Sequence, residues 1–260
     1  LQLSRSVSIP LLNGGAHVQK GYIEPSDKLR RFYVEAAVAE VDGGFGVHLD
    51  GKALKTPRGA ALALPKRALA ELVAEEWAAQ GEALDQAGMN ATRLANTALE
   101  AVSKSREAVA ESVAAYAGSD VLCYYAESPA ELVARQHAFW TPLLERADAE
   151  LGLKFNKVEG VIHQPQPSQT LARVREMADA ADDFTLAGLA FGMALFGSAV
   201  LTISVQQGWL AGEEAFELSR LDEGWQEEHW GVDDEAAERT ARLRGEAEFL
   251  ERWFKAASAA

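Results

Sequence analysis

The amino-acid sequence predicts an α+β fold: a small N-terminal domain of antiparallel β-hairpins and helix, followed by a larger C-terminal all-α helical array. Three observations predict it. Apolar and polar residues alternate in period two between 31 and 64. From Lys66 onward the apolar spacing switches to three and four. The run from Phe184 to Val205 carries no charge, as expected of a helix that is apolar all round and central to a bundle.

The β part reads as RFYVEAAVAEV, GGFGVHLDG and KALKTPRGAALALP. Asp42-Gly43-Gly44 and Asp50-Gly51 supply the positive φ that tight hairpins need, and Pro57 with Gly59 marks a third turn. RALAELVAEEWAAQG then places Leu69, Leu72, Val73, Glu76 and Trp77 at helical spacing, between Pro65 and a stop at Gly81. TRLANTALEAVSKSREAVAESVAAYAG continues as helix with a break expected near 100 to 105, and VLCYYA is short, apolar and β-like. Ser128-Pro129 opens a helix to about Leu151, with Glu131 near its N-terminus where its charge suits the dipole. LKFNKVEGVI reads as a short strand, and HQPQPSQ (163 to 169) as a linker because its prolines disfavour regular structure. Helices are expected over Thr170–Ala180, Phe184–Val205, Gly212 to about Trp230, and Asp234–Ala257. The expected organisation is a flexible tail over 1–28, an α+β domain over 29–105 and a mainly helical domain over 106–260, with VLCYYA and LKFNKVEG able to return to the sheet.

Composition bounds the function. At 260 residues and 48% apolar content the chain can bury a core without disulfides or metals. A net charge of −14 and a pI near 4.9 argue against binding nucleic acid or anionic lipid, and suit solubility or a partner with a basic patch. A single cysteine, Cys123, allows no intramolecular disulfide and points to a reducing compartment, either a bacterial cytoplasm or a mitochondrial matrix. Residues 1–23 carry Arg5 and Lys20 but no acid, faintly like a transit peptide, though without its amphipathic periodicity. The run 184–205 is long enough to span a bilayer, and Gly188 and Gly192 form a G-x-x-x-G step. Its flanks carry Asp182 and Asp183 but no basic cluster, and its small residues suit close neighbours, so it reads as a core helix without membrane insertion.

Catalytic and cofactor motifs are missing. There is no P-loop, no dinucleotide fingerprint and no nucleophile elbow, and the cluster Gly43, Gly44 and Gly46 reads as a turn. The histidines at 17, 48, 137, 163 and 229 make no H-x-x-x-H pair, so no metal and no cofactor is expected. Cys123 has an apolar context in which a thiol is buried and inert. KTPRG (55 to 59) could bind an anion but reads more simply as a solvated hairpin tip. Arg93, Asn96 and Thr97 on the TRLANTAL helix suit capping or bridging, and Trp77 and Trp140 suit the core.

The most informative stretch is LSRLDEGWQEEHWGVDDE (218 to 235). On a helix, Asp222, Glu223, Gln226, Glu227 and Trp230 fall on one face. Fixed negative charge beside Trp225 and Trp230 has the anatomy of a binding hot spot for an Arg- or Lys-bearing partner. A solvated acidic face with inward tryptophans accounts for the same pattern, and periodicity alone favours it.

Several segments in order resemble the ATP synthase assembly factor 2 family, chaperones of the α subunit of the F-type ATPase head. They are RRFYVE, LDGKALKTPRG, LALPKRALAELVAEEWAAQG, TRLANTALE, YAGSDVLCYYAE and SRLDEGWQEEHWG, covering about Arg31 to Gly231. The resemblance implies a two-part protein that is not an enzyme. It would bind new α subunit through protein–protein contacts, shield its apolar interface and release it as β subunits arrive, and be monomeric when free. It also implies dependence on an acidic residue of the acidic helix. Glu223 is the first candidate, with Asp222, Gln226, Glu228, Trp225 and Trp230 as neighbours in the partner-binding site. Two alternatives remain at this point. One is a small-molecule enzyme with carboxylates in an inter-domain cleft, the other a membrane-attached protein using 184–205.

Overall fold

The computed structural model describes residues 29–160 and 162–259, so the expected tail over 1–28 lies outside the described residues. Strands β1 (Ala36–Val41), β2 (Gly44–Leu49) and β3 (Lys52–Ala53) form an antiparallel sheet in the order β1-β2-β3. Val41 pairs with Gly44 and Leu49 with Lys52, so both connections are the tight Gly-bearing hairpins that the sequence predicts. The third expected hairpin is reduced to the isolated bridges Lys55↔Ala61 and Phe45↔Leu64. Gly44 is required there twice over. Its φ is +140°, and a Cβ would lie 2.2 Å from the Leu64 carbonyl oxygen.

Helix α1 (Arg67–Ala78) covers this sheet with Leu69, Leu72, Val73 and Trp77 buried. Helix α2 (Asn90–Glu100) has no cap from its own sequence. Instead, Glu76 of α1 reaches across, its carboxylate accepting from the Ala91 and Thr92 N–H groups and the Thr92 hydroxyl. Burial pushes the Glu76 carboxyl up, against the pull of those donors. A one-turn 3-10 segment at Val102–Lys104 makes the expected break before α3 (Arg106–Ala117). VLCYYA and LKFNKVEG do not return to the first sheet. Their cores, β4 (Tyr124–Tyr125) and β5 (Val158–Glu159), pair with each other in parallel on either side of α4 (Ala130–Leu151).

The prolines at 165 and 167 precede α5 (Ser168–Ala180) in an irregular segment. The charge-free run becomes two helices, α6 (Asp183–Phe196) and α7 (Ala199–Gln206). Gly197 ends α6 in the left-handed conformation, and the Ser198 hydroxyl caps α7 by accepting from Leu201 N–H. No helix among the described residues is long and apolar enough to cross a membrane. Helix α6 packs between α2, α3 and α10 (Asp234–Ser258). The α10 contact is close because Gly188 faces Phe254 and Trp253 and Gly192 faces Leu250, where a Cβ would meet side-chain atoms at 2.7 and 2.9 Å. Trp253 Nε1 donates to the Phe184 carbonyl at 3.0 Å. One continuous apolar cluster runs from Tyr33 and Val47 through this bundle to Trp253 and Phe254.

Asp120, fully buried, joins the bundle to the strand segment. Its carboxylate accepts from Leu122 N–H at 3.0 Å and from Val200 N–H at 2.9 Å, at the start of α7. Burial pushes its carboxyl above the ordinary aspartate range. Asp120→Ala leaves both N–H groups unpaired and is expected to cost about 2–4 kcal/mol in urea denaturation, Asp120→Asn clearly less. Because the folded pKa is raised, the Asp120 contribution is full below the unfolded aspartate pKa and declines as pH rises through the folded value. The stability advantage of the parent over Asp120→Asn is therefore expected to shrink from about pH 4 upward.

Candidate partner-binding site

The stretch 212–230, expected as one helix, is two: α8 (Gly212–Ser219) and α9 (Leu221–Trp230), separated at Arg220. At that break the Leu218 carbonyl accepts from Trp140 Nε1 of α4 at 3.0 Å. Helix α9 is seated on α4 by polar contacts. Gln136, fully buried, donates from Nε2 to Asp222 Oδ1 at 2.7 Å and accepts on Oε1 from Ala126 N–H at 2.8 Å. Arg135 donates to both Glu228 oxygens, at 2.8 and 3.0 Å, a fork that holds the Glu228 carboxyl below the usual carboxylate range. Arg220 pairs with Glu227.

This seating sorts the candidate residues. Asp222, Glu227 and Glu228 are tied to neighbouring side chains. Glu223, Gln226 and Trp230 face outward, and among the described residues Glu223 and Gln226 have no side-chain partner. Trp225 lies between the two groups. It is half-buried, stacked on His229 at 4.0 Å and edge-on to Trp230 at 5.7 Å, while His229 Nδ1 donates to the Trp225 carbonyl at 2.7 Å. Trp230 is 74% exposed and Val232, just past the Gly231 stop, 51%. The five residues that helical spacing put on one face are thus split, with Asp222 and Glu227 turned to neighbours and three left for solvent.

Most of the other singled-out residues serve the fold, whereas Asn96, expected to cap or bridge, has its Oδ1 buried without a hydrogen-bond partner among the described residues. The KTPRG turn is docked, not a free anion site: Thr56 is buried, and Glu100 of α2 accepts from the Arg58 N–H at 2.8 Å. Arg93 donates to the Ala87 carbonyl, and Trp77 Nε1 donates to Thr92 Oγ1 at 3.1 Å. Burial pushes the Cys123 thiol far up, which makes it a poor nucleophile. The raised carboxyls, Glu76 and Asp120, cap helices and line none of the described cavities. One such cavity, of about 420 Å³, lies against α3, α5, α6 and α7 and is lined mainly by apolar side chains such as Leu189, Met193 and Ile203. Sequence reasoning missed Arg135 and Gln136 as the seat of α9. A signal existed: Gln136 falls between Leu132 and Trp140 on the apolar stripe of α4, and a buried amide there needs partners.

These features define a class of architecture: a helical scaffold that presents a charged and aromatic helix face on a locked base. Comparison with known proteins makes the class particular. The chain belongs to the ATP12 chaperone family, whose characteristic sequence (ATP12 chaperone protein) matches residues 30–148. Its fold is similar to that of Atp12 from Paracoccus denitrificans, with TM-score 0.81 and 37% identity over 88% of this chain and 98% of that one. An aspartate-to-lysine mutant of that protein matches equally well, at TM-score 0.81. The Atu1473 protein of Agrobacterium tumefaciens is 40% identical over 87% of this chain and 85% of its own, also at TM-score 0.81. The mitochondrial protein atp12 of Schizosaccharomyces pombe is 25% identical over 226 residues, 82% of this chain and 78% of that one.

Replacing Gln136 with Leu strands the Ala126 N–H and frees Asp222. The expected result is a loss of about 2 kcal/mol and roughly tenfold faster amide exchange confined to α9, read by hydrogen–deuterium exchange.

Proposed function

We propose that this chain is an assembly chaperone of the F-type ATP synthase that binds the unassembled α subunit. It covers the apolar interface surface of that subunit and releases it as β subunits arrive to form the catalytic hexamer. The observation that carries this reading is the outward face of α9, where Trp230 stands 74% exposed among carboxylates on a helix fixed to α4. An exposed aromatic anchor ringed by charge is the composition of an interface centre and its rim. Membership of the ATP12 chaperone family supports the same role.

In this reading Glu223, Gln226 and Trp230 touch the partner, while Asp222, Glu228 and Trp225 hold the helix in position. A subunit of an alternating ring exposes apolar surface before its neighbours arrive, and covering it prevents aggregation. Release follows when the proper neighbour buries more area than the chaperone does. The protein acts without cofactor or catalysis, in a bacterial cytoplasm or the mitochondrial matrix. The small-molecule enzyme is the lesser reading, because the carboxyls raised by burial serve as helix caps.

Co-expression with α and β subunits of its own species, followed by pull-down through this chain, tests the proposal. Capture of α and not β is expected, with capture falling at high salt because opposite charges meet across the contact. Equal recovery of both subunits, or of neither, overturns it.

A further inference from the structure

We infer that the outer stripe of α9 is the seat of one kind of segment: a stretch of the partner carrying an arginine and a bulky apolar side chain about 10 Å apart, the guanidinium on Glu223 and the apolar group on Trp230. This rests on the chaperone reading above and names what the partner must present.

The argument starts from how α9 spends its acids. Of Asp222, Glu223, Glu227 and Glu228, three are committed to Gln136, Arg220 and Arg135. Glu223 alone is exposed without a side-chain partner among the described residues. Gln226 and Trp230 follow it at i+3 and i+7, which keeps all three on one line of the helix. Seven residues at 1.5 Å rise put the carboxylate and the ring about 10 Å apart, with the Gln226 amide between them free to bond a partner backbone. Beside Glu223, Gly224 has nothing within 4 Å of where a Cβ would be, so the approach is open.

Arginine fits better than lysine. A carboxylate takes a guanidinium through two parallel bonds, as Arg135 and Glu228 do on the neighbouring face. The weaker hydration of a guanidinium suits a seat next to a tryptophan, and Arg146 already lies over the Trp209 ring, 4.3 Å from its centroid. Asp233, Asp234 and Glu235, all exposed at the start of α10, add a field that draws cationic chains. The same field works against a second copy, since a two-fold contact would set acids against acids.

Capture of co-expressed α subunit is compared for the parent and three variants with unchanged circular dichroism. Glu223→Lys and Trp230→Ala are each expected to weaken capture about tenfold or more. Glu235→Lys, with the same change in charge, should stay within about twofold. Overlapping peptides of the α subunit should bind only where an arginine accompanies an apolar residue, and replacing that arginine with citrulline should abolish binding. If the parent captures α and both stripe variants do so equally well, the seat is elsewhere and only the inference falls. If Glu235→Lys is as damaging as Glu223→Lys, bulk charge is responsible and the inference falls. A parent dimer that Trp230→Ala converts to monomer would assign the face to a second copy and also overturn it. Failure of the parent to capture α overturns both readings.

Discussion

The architecture turns on a carboxylate with no access to water. Asp120 gives one oxygen to its own turn and the other to the start of α7, so the end of α3, the strand segment and the α6–α7 corner meet at one side chain. Burying a carboxyl is costly unless donors surround it, and here the donors are backbone N–H groups that a helix start leaves unpaired. Each side needs the other. The Val121 N–H bond to the Gly197 carbonyl closes the same junction. Glu76 does equivalent work at α2, a second acid from one element that begins another. Both acids accept from backbone donors at helix starts, so their raised carboxyls have an architectural cause.

Much of the fold was legible because its signals are local. Hairpin glycines, the change of apolar period and the charge-free run gave the sheet, the helices and their order. What escaped was mostly tertiary. The break at Arg220 interrupts a run whose apolar pattern is continuous, and falls where Trp140 supplies a hydrogen bond from a distant part of the chain. The break at Gly197–Ser198 had a local signal, a glycine followed by a capping serine, which the continuous apolar pattern masked. The pairing of VLCYYA with LKFNKVEG likewise depends on α4 returning between them.

The candidate site shows the same division. Periodicity can say which residues of 221–230 share a face, but not which face meets α4. That is decided by Gln136 and Arg135, about ninety positions earlier in the chain. The acids look alike in sequence and differ only in whether a neighbour claims them. Glu223 is distinguished by what the rest of the molecule leaves undone.

The two glycines of α6 have a consequence for how the protein is made. The α2 and α3 surfaces against which α6 packs leave the ribosome before it, but the α10 side chains that meet Gly188 and, together with Thr202 of α7, Gly192 are translated after it. During that interval a long uncharged stretch has one flank bare. A member of a chaperone family thus itself passes through a nascent stage with apolar surface uncovered, which ends when α10 closes over α6.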